Sequence, residues 1–389
     1  MTKSADMAIG RKCFGLSGTA VRRVGVDACP LGHHRTGVAN YVWGLLEPLV
    51  ERYPQVQFFL YSNDPINFVA APNVVQRSSA PVGGRKLRGP LWQNPQLVRM
   101  AAQDGLDAYW AANGMLPLWG LSGLTRVLTV YDLADVYAPA TQQSLVRWNR
   151  RVFQRLSVWR ATHTLAISAA TAADMQRHYG RGVDGVIHPL PGTRFVRTAP
   201  AECDRVRAAL SLPARFWLSV GTLEPRKNLV ALIRAHQACL ARGVPLPQLV
   251  LAGGAGWLNT DIEATIAQGE SQGSVRRLGF VEGRDLPALY AACEVFLMPS
   301  LYEGFGMPIL EAQLCGAPVV HGHHASMVEA GGGLGWSVAP DQASLEAALQ
   351  ALAQGQAPLC CRLPSDGQIQ HQAQGVQTLS QALGLLPLR

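Results

Sequence analysis

The sequence predicts an α/β protein of two domains, each with a parallel sheet covered by helices. Short apolar runs typical of buried strands alternate with amphipathic stretches typical of helices, and this alternation favours parallel sheets with helices on both faces. The pattern ends near residue 195 and starts again with the apolar run 216–221. A chain of 389 residues is long enough for two cores. We therefore expect two Rossmann-like domains that face each other across a cleft.

Six apolar runs in the first half predict strands. They lie at 23–28, 58–62, 107–110, 125–130, 164–168 and 186–192. A helix is predicted at 38–52, where apolar residues recur at helical spacing, and another at the arginine-rich segment 141–160. Ser168 is expected to cap the helix that follows the fifth run.

The second half repeats the strand–helix alternation. Its predicted strands lie at 216–221, 248–254, 275–281, 295–299 and 318–320. Asn228 is expected to cap the helix after the first of these strands, and Gly243 to end it. Pro308 suits the first turn of a short helix, which Gly316 and Pro318 end.

These elements predict the division of the chain. The predicted parts are a loose tail at 1–22, a first domain at 23–195, a second domain at 196–365, and a helix at 366–389 whose expected place is against the first domain.

Composition narrows the class of protein. Hydrophobic residues make up 48% of the chain and charged residues 15%, which is typical of a globular protein. The net charge of +8 favours nucleic acid, an anionic membrane surface or phosphorylated substrates as partners, and a merely basic protein is the alternative. Eight scattered cysteines without a C-x-x-C pair indicate a reducing, cytoplasmic compartment. We find no apolar run long enough for a membrane span and no signal-peptide pattern in 1–22.

The segment 303–311 carries the clearest chemical pattern. It follows a predicted strand and leads into the short helix, and Gly304 and Gly306 would let a ligand approach backbone N–H groups at the helix N-terminus. Glu303 and Glu311 place two carboxylates beside this anion cradle. A ligand that offers both hydroxyls and phosphates, such as a nucleotide-sugar, fits this combination. An ordinary α/β loop with two surface glutamates is the alternative.

A second pattern lies at 221–228. Arg226 and Lys227 occupy a loop between a predicted strand and a helix, where two cations can hold a pyrophosphate and stabilise it as it leaves. In a parallel sheet this loop opens on the same edge as the segment 303–311. The shared edge makes a solvated basic turn the weaker interpretation.

The first half offers weaker candidates for contacts with an acceptor. They are Arg35 and Gly37 in a polar loop, Tyr131 and Asp132 after one strand, and Asn113 after another. For Asp132 a cap on the following helix is the alternative, and for the loop an ordinary surface turn. His321, His323 and His324 lack a completing ligand set, so we expect no metal site and no cofactor. The sequence contains no Asp-x-Asp pair, no phosphate-binding P-loop and no G-x-S-x-G turn.

Three stretches resemble the retaining glycosyltransferases of family 4, the group 1 enzymes with the GT-B fold. The stretch 219–228 resembles the phosphate loop of the family, 278–290 its base-pocket strand and helix, and 299–312 its E-x7-E motif. The first half is more divergent. Its segments 26–28 and 35–38 resemble a subgroup rich in bacterial mannosyl- and rhamnosyltransferases.

The resemblance assigns roles to residues of this chain. It implies catalytic roles for Glu303, which would bind the donor sugar, for Arg226 and Lys227, which would neutralise the diphosphate, and for Asp132. Donor binding would fall to Gly221, Gly304, Phe305, Gly306 and Glu311, with Glu311 on the ribose. Tyr131 stands where the subgroup often has histidine. The region 366–389 lacks the Trp-Glu pair common in the family.

The resemblance also implies an activity. We expect transfer of a hexose, mannose or a similar sugar, from a donor such as GDP-mannose to a glycan or polyprenyl-linked acceptor in lipopolysaccharide or exopolysaccharide assembly. Transfer would retain the anomeric configuration and need no metal. We expect no nucleic-acid partner, and we expect a salt-sensitive contact between the arginine-rich helix and the anionic inner face of the plasma membrane. The alternatives are a non-catalytic sugar-nucleotide-binding protein and a sugar-nucleotide epimerase of the same fold.

Overall fold

Two parallel sheets organise the computed structural model, which describes residues 21–32, 37–79, 89–142, 144–257, 260–360 and 371–385. The strands of the first sheet are β1 Arg23–Asp27, β2 Gln57–Ser62, β3 Val74–Ser78, β4 Ala108–Ala111, β5 Thr125–Val130, β6 His163–Ala166 and β7 Gly185–Val186. The strands of the second are β8 Phe216–Val220, β9 Gln248–Ala252, β10 Val275–Gly279, β11 Val295–Met298, β12 Val319–Gly322 and β13 Trp336–Val338.

Each sheet reverses its strand order once. The first runs β3-β2-β1-β4-β5-β6-β7 and the second β10-β9-β8-β11-β12-β13, with every pairing parallel. The order therefore changes direction between β1 and β4 and between β8 and β11. Ligands of open α/β sheets bind beyond the carboxyl ends of the strands at such points.

Helices connect the strands on both faces of the sheets. In the first half they are α1 Gly37–Arg52, α2 Pro90–Trp92, α3 Val98–Asp104, α4 Ala134–Tyr137, α5 Ser144–Arg160 and α6 Ala169–Tyr179. In the second half they are α7 Pro200–Ala209, α8 Leu229–Ala241, α9 Thr260–Ser271, α10 Leu286–Ala292, α11 Met307–Leu314, α12 Ala325–Gly331, α13 Gln342–Ala353 and α14 His371–Ala382. A π-helical turn, Gln93–Leu97, joins α2 to α3.

The last helix returns to the first half of the chain. Val376 and Leu379 of α14 are buried in the same apolar cluster as Leu45 and Leu49 of α1. Since apolar burial is the main favourable term in folding, this contact fixes the end of the chain to the first sheet. Among the described residues no helix is long and apolar enough to cross a membrane.

Most buried strands coincide with the predicted apolar runs, and the differences have physical reasons. β3 was not predicted because it is an edge strand whose side chains are largely exposed, so it lacks an apolar pattern. β13 is only three residues long. The predicted strand at 186–192 shrinks to β7, since a prolyl residue has no N–H for a strand ladder and two occur in that stretch.

One predicted helix cap is confirmed and another is wrong. The Ser168 hydroxyl accepts a hydrogen bond from the backbone N–H of Thr171 at the start of α6, as predicted. Asn228 precedes α8 in a left-handed conformation and makes no side-chain cap. Its side-chain amide instead donates to the carbonyls of Pro299, at 3.2 Å, and Pro340, at 2.6 Å. Asn228 therefore connects loops at the carboxyl edge of the second sheet.

Candidate active site

The two predicted clusters of the second half meet at the strand-order reversal between β8 and β11. A 3₁₀ turn, Pro225–Lys227, follows β8, and the loop 299–306 follows β11. The backbone N–H of Leu301 donates to the carbonyl of Arg226 at 2.9 Å, so the two loops are joined directly. The order of the strands therefore brings together groups that lie about 80 residues apart in the chain.

Glu303 is a buried carboxylate held by two cations. Its side chain is 8% exposed. One oxygen accepts from the Lys227 ammonium at 2.7 Å and the other from the Arg226 guanidinium. Burial alone would raise the pKa of Glu303, but the two cations outweigh it and lower that pKa to about 2. Glu303 is therefore ionised throughout the physiological pH range.

Arg226 is held on all sides by protein groups. Its Nε and Nη2 donate to one oxygen of Glu224, at 3.1 and 2.6 Å, and its Nη1 donates to the carbonyl of Tyr302 at 3.1 Å as well as to Glu303. These contacts engage all but one of the five N–H groups of a guanidinium. Arg226 therefore holds Glu303 in place and retains little capacity for a ligand.

Lys227 is better placed than Arg226 to meet a phosphate. Its chain crosses so closely over Gly221 that a Cβ added to that glycine would lie 3.0 Å from the Lys227 Cε. An ammonium has three donors, and Glu303 is its one hydrogen-bond partner among the described residues. Glu224, which is 2% exposed, was not predicted from the sequence as part of the site. Its position as an acidic residue two places before Arg226, in a loop that otherwise carries cations, could have indicated it.

The glycine-rich loop after Glu303 packs against the first half of the chain. A Cβ on Gly304 would lie 2.1 Å from the carbonyl oxygen of Tyr131, so only glycine fits there. The Gly304 carbonyl accepts from the Ser168 hydroxyl at 2.6 Å. Phe305 is buried with its ring 5.4 Å from that of His188, and Gly306 immediately precedes α11. The loop thus belongs to the contact between the two domains.

Glu311 lies one turn into α11 and differs in charge state from Glu303. The Tyr290 hydroxyl donates to its carboxyl at 3.1 Å. Burial raises the pKa of Glu311 to about 7, because that hydrogen bond and the fields of Arg194 and Lys227 only partly offset desolvation. The site therefore holds one carboxylate fixed by cations and one that titrates near neutrality.

Asp132 faces this site from the carboxyl end of β5. Its carboxylate accepts from Arg150 of α5 at 2.9 Å and from the backbone N–H of Ala134 at 3.1 Å. Burial would raise its pKa, but the charges of Arg150 and Arg226 lower it. The next residue, Leu133, donates its backbone N–H to the hydroxyl of Tyr302 at 3.1 Å, which places Asp132 beside the loop that carries Glu303. Asp132 also contacts the start of α4, which is the capping role foreseen as its alternative.

Among the described residues, none of the other first-half candidates makes a side-chain hydrogen bond or ion pair with the charged groups of this centre, although the backbone of Tyr131 packs against Gly304. The Tyr131 hydroxyl donates to the carbonyl of Ala112 at 2.6 Å and its ring meets Tyr41 edge-on, so its side chain points into the first domain. Asn113 is exposed just beyond β4, and Gly37 is the exposed first residue of α1. Arg35 lies outside the described residues.

Tyr302 joins the two domains beside the site, a role that sequence reasoning missed. Its hydroxyl donates to the carboxylate of Asp174 at 2.8 Å and accepts from the backbone N–H of Leu133 at 3.1 Å. Its ring stacks on Tyr137 with the centroids 6.0 Å apart. Its partners Asp174 and Leu133 lie 128 and 169 residues away, so no local spacing could have indicated them.

Glu329 of α12 makes a second connection between the domains. Its carboxylate accepts from the backbone N–H groups of Ala169 and Ala170, at 2.8 and 3.2 Å, at the N-terminus of α6. It also lies 2.6 Å from the His188 ring. Burial would raise the pKa of Glu329, but these partners lower it. We call the contacts of Tyr302, Gly304 and Glu329 with the first domain the domain seam.

The described part of the chain contains no group of three or more His, Cys, Asp or Glu side chains that could hold a metal. The cations of the phosphate loop, Arg226 and Lys227, pair with two carboxylates, those of Glu224 and Glu303.

Comparison with known proteins identifies the family. A family model described as glycosyl transferases group 1 matches residues 214–355, and one described as glycosyl transferase 4-like domain matches residues 36–193. A D-inositol 3-phosphate glycosyltransferase of Salinispora tropica is 32% identical over 340 residues, which are 77% of this chain and 70% of that protein. The O-antigen chain mannosyltransferase B of Escherichia coli is 39% identical over 148 residues. That match covers 38% of this chain and only 39% of the length of the relative.

The fold has close structural counterparts. The sucrose-phosphate synthase of Thermosynechococcus elongatus superposes with a TM-score of 0.66 over 94% of this chain and 96% of its own, at 20% identity. The two parallel-sheet domains and the cleft between them are therefore the GT-B fold. Together with the family matches, this shows that the chain belongs to the group 1 glycosyltransferases of family 4, which are transferase enzymes.

Proposed function

We propose that this protein is a retaining glycosyltransferase that moves a hexose from a nucleoside diphosphate sugar to a glycan or polyprenyl-linked acceptor during assembly of a cell-surface polysaccharide. The observation that carries the proposal is the juxtaposition of Glu303 and Lys227, next to Glu311, at the strand-order reversal of the second sheet. The likeness to an O-antigen mannosyltransferase supports mannose as the sugar and GDP-mannose as the donor.

Each side chain then has a separate task. Glu311 accepts hydrogen bonds from the ribose hydroxyls, and Lys227 neutralises the diphosphate as negative charge develops on it. Glu303, fixed by Arg226, accepts a hydrogen bond from the transferred sugar. Asp132 lies on the acceptor side of the cleft. Preorganised charges of this kind stabilise the transition state because they need no rearrangement at the moment of reaction.

We infer a front-face transfer for the reaction itself. The acceptor oxygen forms the new bond to the anomeric carbon on the face from which the diphosphate leaves. The bond between that carbon and the phosphate oxygen breaks, and the leaving phosphate takes the proton of the acceptor hydroxyl. Atoms and charge then balance without a protein nucleophile.

A non-catalytic sugar-nucleotide-binding protein is the second candidate. The inward-turned side chain of Tyr131, where the subgroup often has histidine, favours it. The test combines two measurements on the purified protein. A thermal-shift series with GDP, UDP, ADP and dTDP identifies the nucleotide, because a bound ligand stabilises the fold by mass action. Release of that nucleoside diphosphate from its mannose or glucose ester is then measured with and without a polyprenyl-linked glycan. Acceptor-dependent release supports transfer, whereas a thermal shift without release supports the binding protein.

Transfer is expected to be independent of divalent metal. The motive is the Lys227 ammonium at the phosphate loop, together with the absence of an Asp-x-Asp pair from the sequence. Activity in excess EDTA should equal activity in buffer with added magnesium. Loss of activity in EDTA that manganese or magnesium restores would contradict this expectation.

Replacing Glu311 with alanine should raise the donor KM by roughly ten- to a hundredfold, which corresponds to the loss of one charged hydrogen bond. The kcat should change little, since ribose contacts are equal in the ground and transition states. In the parent protein donor affinity should increase as pH rises through about 7, because the Glu311 carboxyl then becomes the better acceptor. The Glu311→Gln variant is the control, and its donor affinity should be flat over the same range. If the donor affinity of Glu311→Gln still increased with pH as it does in the parent protein, Glu311 would not be the group that binds the ribose.

A further inference from the structure

The exposed side of α5 is unusual for a protein surface. Its large apolar side chains are Trp148, Val152, Leu156 and Trp159, with exposures of 69%, 38%, 43% and 68%. Successive helical residues turn by about 100°, so these four positions and Arg155 fall within an arc of roughly 100° and extend about 16 Å along the helix. We call these five residues the α5 outer face. Large rings exposed together, rather than singly, mark an interaction site.

The opposite side of α5 fixes the orientation of the helix. Gln154, Ser157 and Val158 are buried against the first domain. The Ser157 hydroxyl accepts from the backbone N–H of Leu116 at 2.9 Å, and the Gln154 amide donates to the carbonyl of Asp132 at 3.1 Å. The outer face therefore points away from the protein and cannot be covered by a rotation of the helix.

The charge of α5 is strongly positive. The helix contains five arginines and no acidic residue. Arg150 pairs with Asp132, and this is the one carboxylate salt bridge that the described residues give to the helix. Arg147 and Arg160 donate to the backbone carbonyls of Pro139 and Gly120, and the described residues pair neither of them with a carboxylate. The helix therefore keeps positive charge that an anionic surface would neutralise.

We propose that the α5 outer face docks on an anionic lipid bilayer. This inference rests on the proposed function, since it names the surface on which a polyprenyl-linked acceptor would be met. Tryptophan rings prefer the headgroup level of a bilayer. Arginines beside them gain from anionic headgroups, and a helix with this arrangement lies in the plane of the interface. A second copy of this chain is a poorer partner, because an outer face opposed to itself would bring like charges together.

The position of α5 connects this surface to the cleft. Arg150, on the inner side of the helix, holds Asp132 at the mouth of the site. A bilayer on the outer face would therefore lie one helix diameter, about 10 Å, from the acceptor side of the cleft. The tryptophans also change the expectation from sequence, which based attachment on arginines alone and hence on salt-sensitive forces. Ring insertion adds a component that salt does not screen.

The test is co-sedimentation of the purified protein with vesicles of phosphatidylcholine alone and of phosphatidylcholine with phosphatidylglycerol. The parent protein should bind the anionic vesicles, bind the neutral vesicles more weakly, and keep part of its binding in high salt. The double variant Trp148→Ala/Trp159→Ala should partition at least about tenfold more weakly. Arg155→Gln should weaken binding to anionic vesicles by about fivefold and leave the residual high-salt binding unchanged.

The control is Phe280→Ala, which removes a ring that is 81% exposed on the second half of the chain and should leave vesicle binding unchanged. Equal partitioning of the parent protein and the double variant would overturn the proposal. Vesicle binding that is lost equally in Phe280→Ala would overturn it as well, and so would a dimer in solution that the double variant converts to a monomer. The nucleotide thermal shift separates the two hypotheses. If the parent protein shows the nucleotide thermal shift but does not bind vesicles, the docking proposal is wrong and the proposed function stands.

Discussion

Replacing Glu303 with alanine is expected to lower kcat by roughly ten- to a hundredfold, the effect of losing one charge-assisted hydrogen bond in the transition state. Charge develops at the anomeric carbon and on the departing phosphate during transfer, so a contact with the transferred sugar tightens as the reaction proceeds. The Glu303 carboxylate is ionised and held by Lys227 at 2.7 Å and by Arg226, so it needs no rearrangement to accept a hydrogen bond from the sugar. Steady-state kinetics with varied donor measures the effect on kcat and KM separately.

The Glu303→Gln variant is the matched control for shape. It preserves the size of the side chain and removes its charge, so a similar loss of kcat would assign the effect to charge. Glu311→Ala provides the contrast, because it should act on donor KM. Should both alanine variants lose only donor affinity and retain full kcat, the loop after β11 would be a binding platform. Catalysis would then lie with first-domain groups such as Asp132.

Replacing Arg226 with alanine is expected to have the largest effect on stability. The substitution leaves Glu224 and Glu303, which are 2% and 7% exposed, without the guanidinium that joins them. Removing one partner of a buried ion pair typically costs about 3–5 kcal/mol. At about 2–4 °C per kcal/mol for a domain of this size, the Tm should fall by roughly 10 °C. Thermal unfolding followed by circular dichroism at neutral pH measures it, and kcat should fall as well because Glu303 loses its support.

The loss of stability in Arg226→Ala should become smaller as the pH falls. In the parent protein the pKa of Glu303 is about 2, below its usual 4.5, so its contribution to stability is present above pH 4.5 and is lost as pH falls towards 2. Without Arg226 the Glu303 carboxylate protonates more readily, and the Tm difference between variant and parent should narrow below pH 4.5. The double variant Glu224→Gln/Arg226→Ala should recover part of the loss by removing one uncompensated charge. A Tm difference that is small at neutral pH would show that Arg226 does not hold the two carboxylates together.

Much of the fold could be predicted because buried parallel strands are apolar along their whole length. The runs at 125–130, 216–221 and 295–299 became β5, β8 and β11 for this reason. The location of Glu303 and Lys227 at one edge also followed from the sequence, since helix N-termini follow the carboxyl ends of parallel strands. The residues of the site were thus predictable wherever their position depended on strand direction.

Contacts between side chains were not predictable in the same way. The sequence placed Arg226 and Lys227 together as equal phosphate ligands, and only the coordinates separate a guanidinium engaged by Glu224 and Glu303 from an ammonium with free donors. Tyr131 was a candidate for contact with an acceptor, yet its hydroxyl donates to the carbonyl of Ala112 and its side chain points into the first domain. Such choices depend on partners distant in sequence, which periodicity does not record.

The contacts of the domain seam couple the position of the first domain to the position of the loop that carries Glu303. In the proposed function the loop that begins with Glu303 and Gly304 contacts the donor on one side. On the other side its Gly304 carbonyl accepts a hydrogen bond from Ser168, and the backbone of Tyr131 packs against it. Any rotation of one domain against the other must therefore drag this loop and shift the carboxylate that it carries. Under the proposed function, residues that do not contact the nucleotide, such as Ser168 at the start of α6, would thereby influence the affinity for the donor. Under the proposed function, a change in the width of the cleft would therefore also change the position of the carboxylate that contacts the sugar.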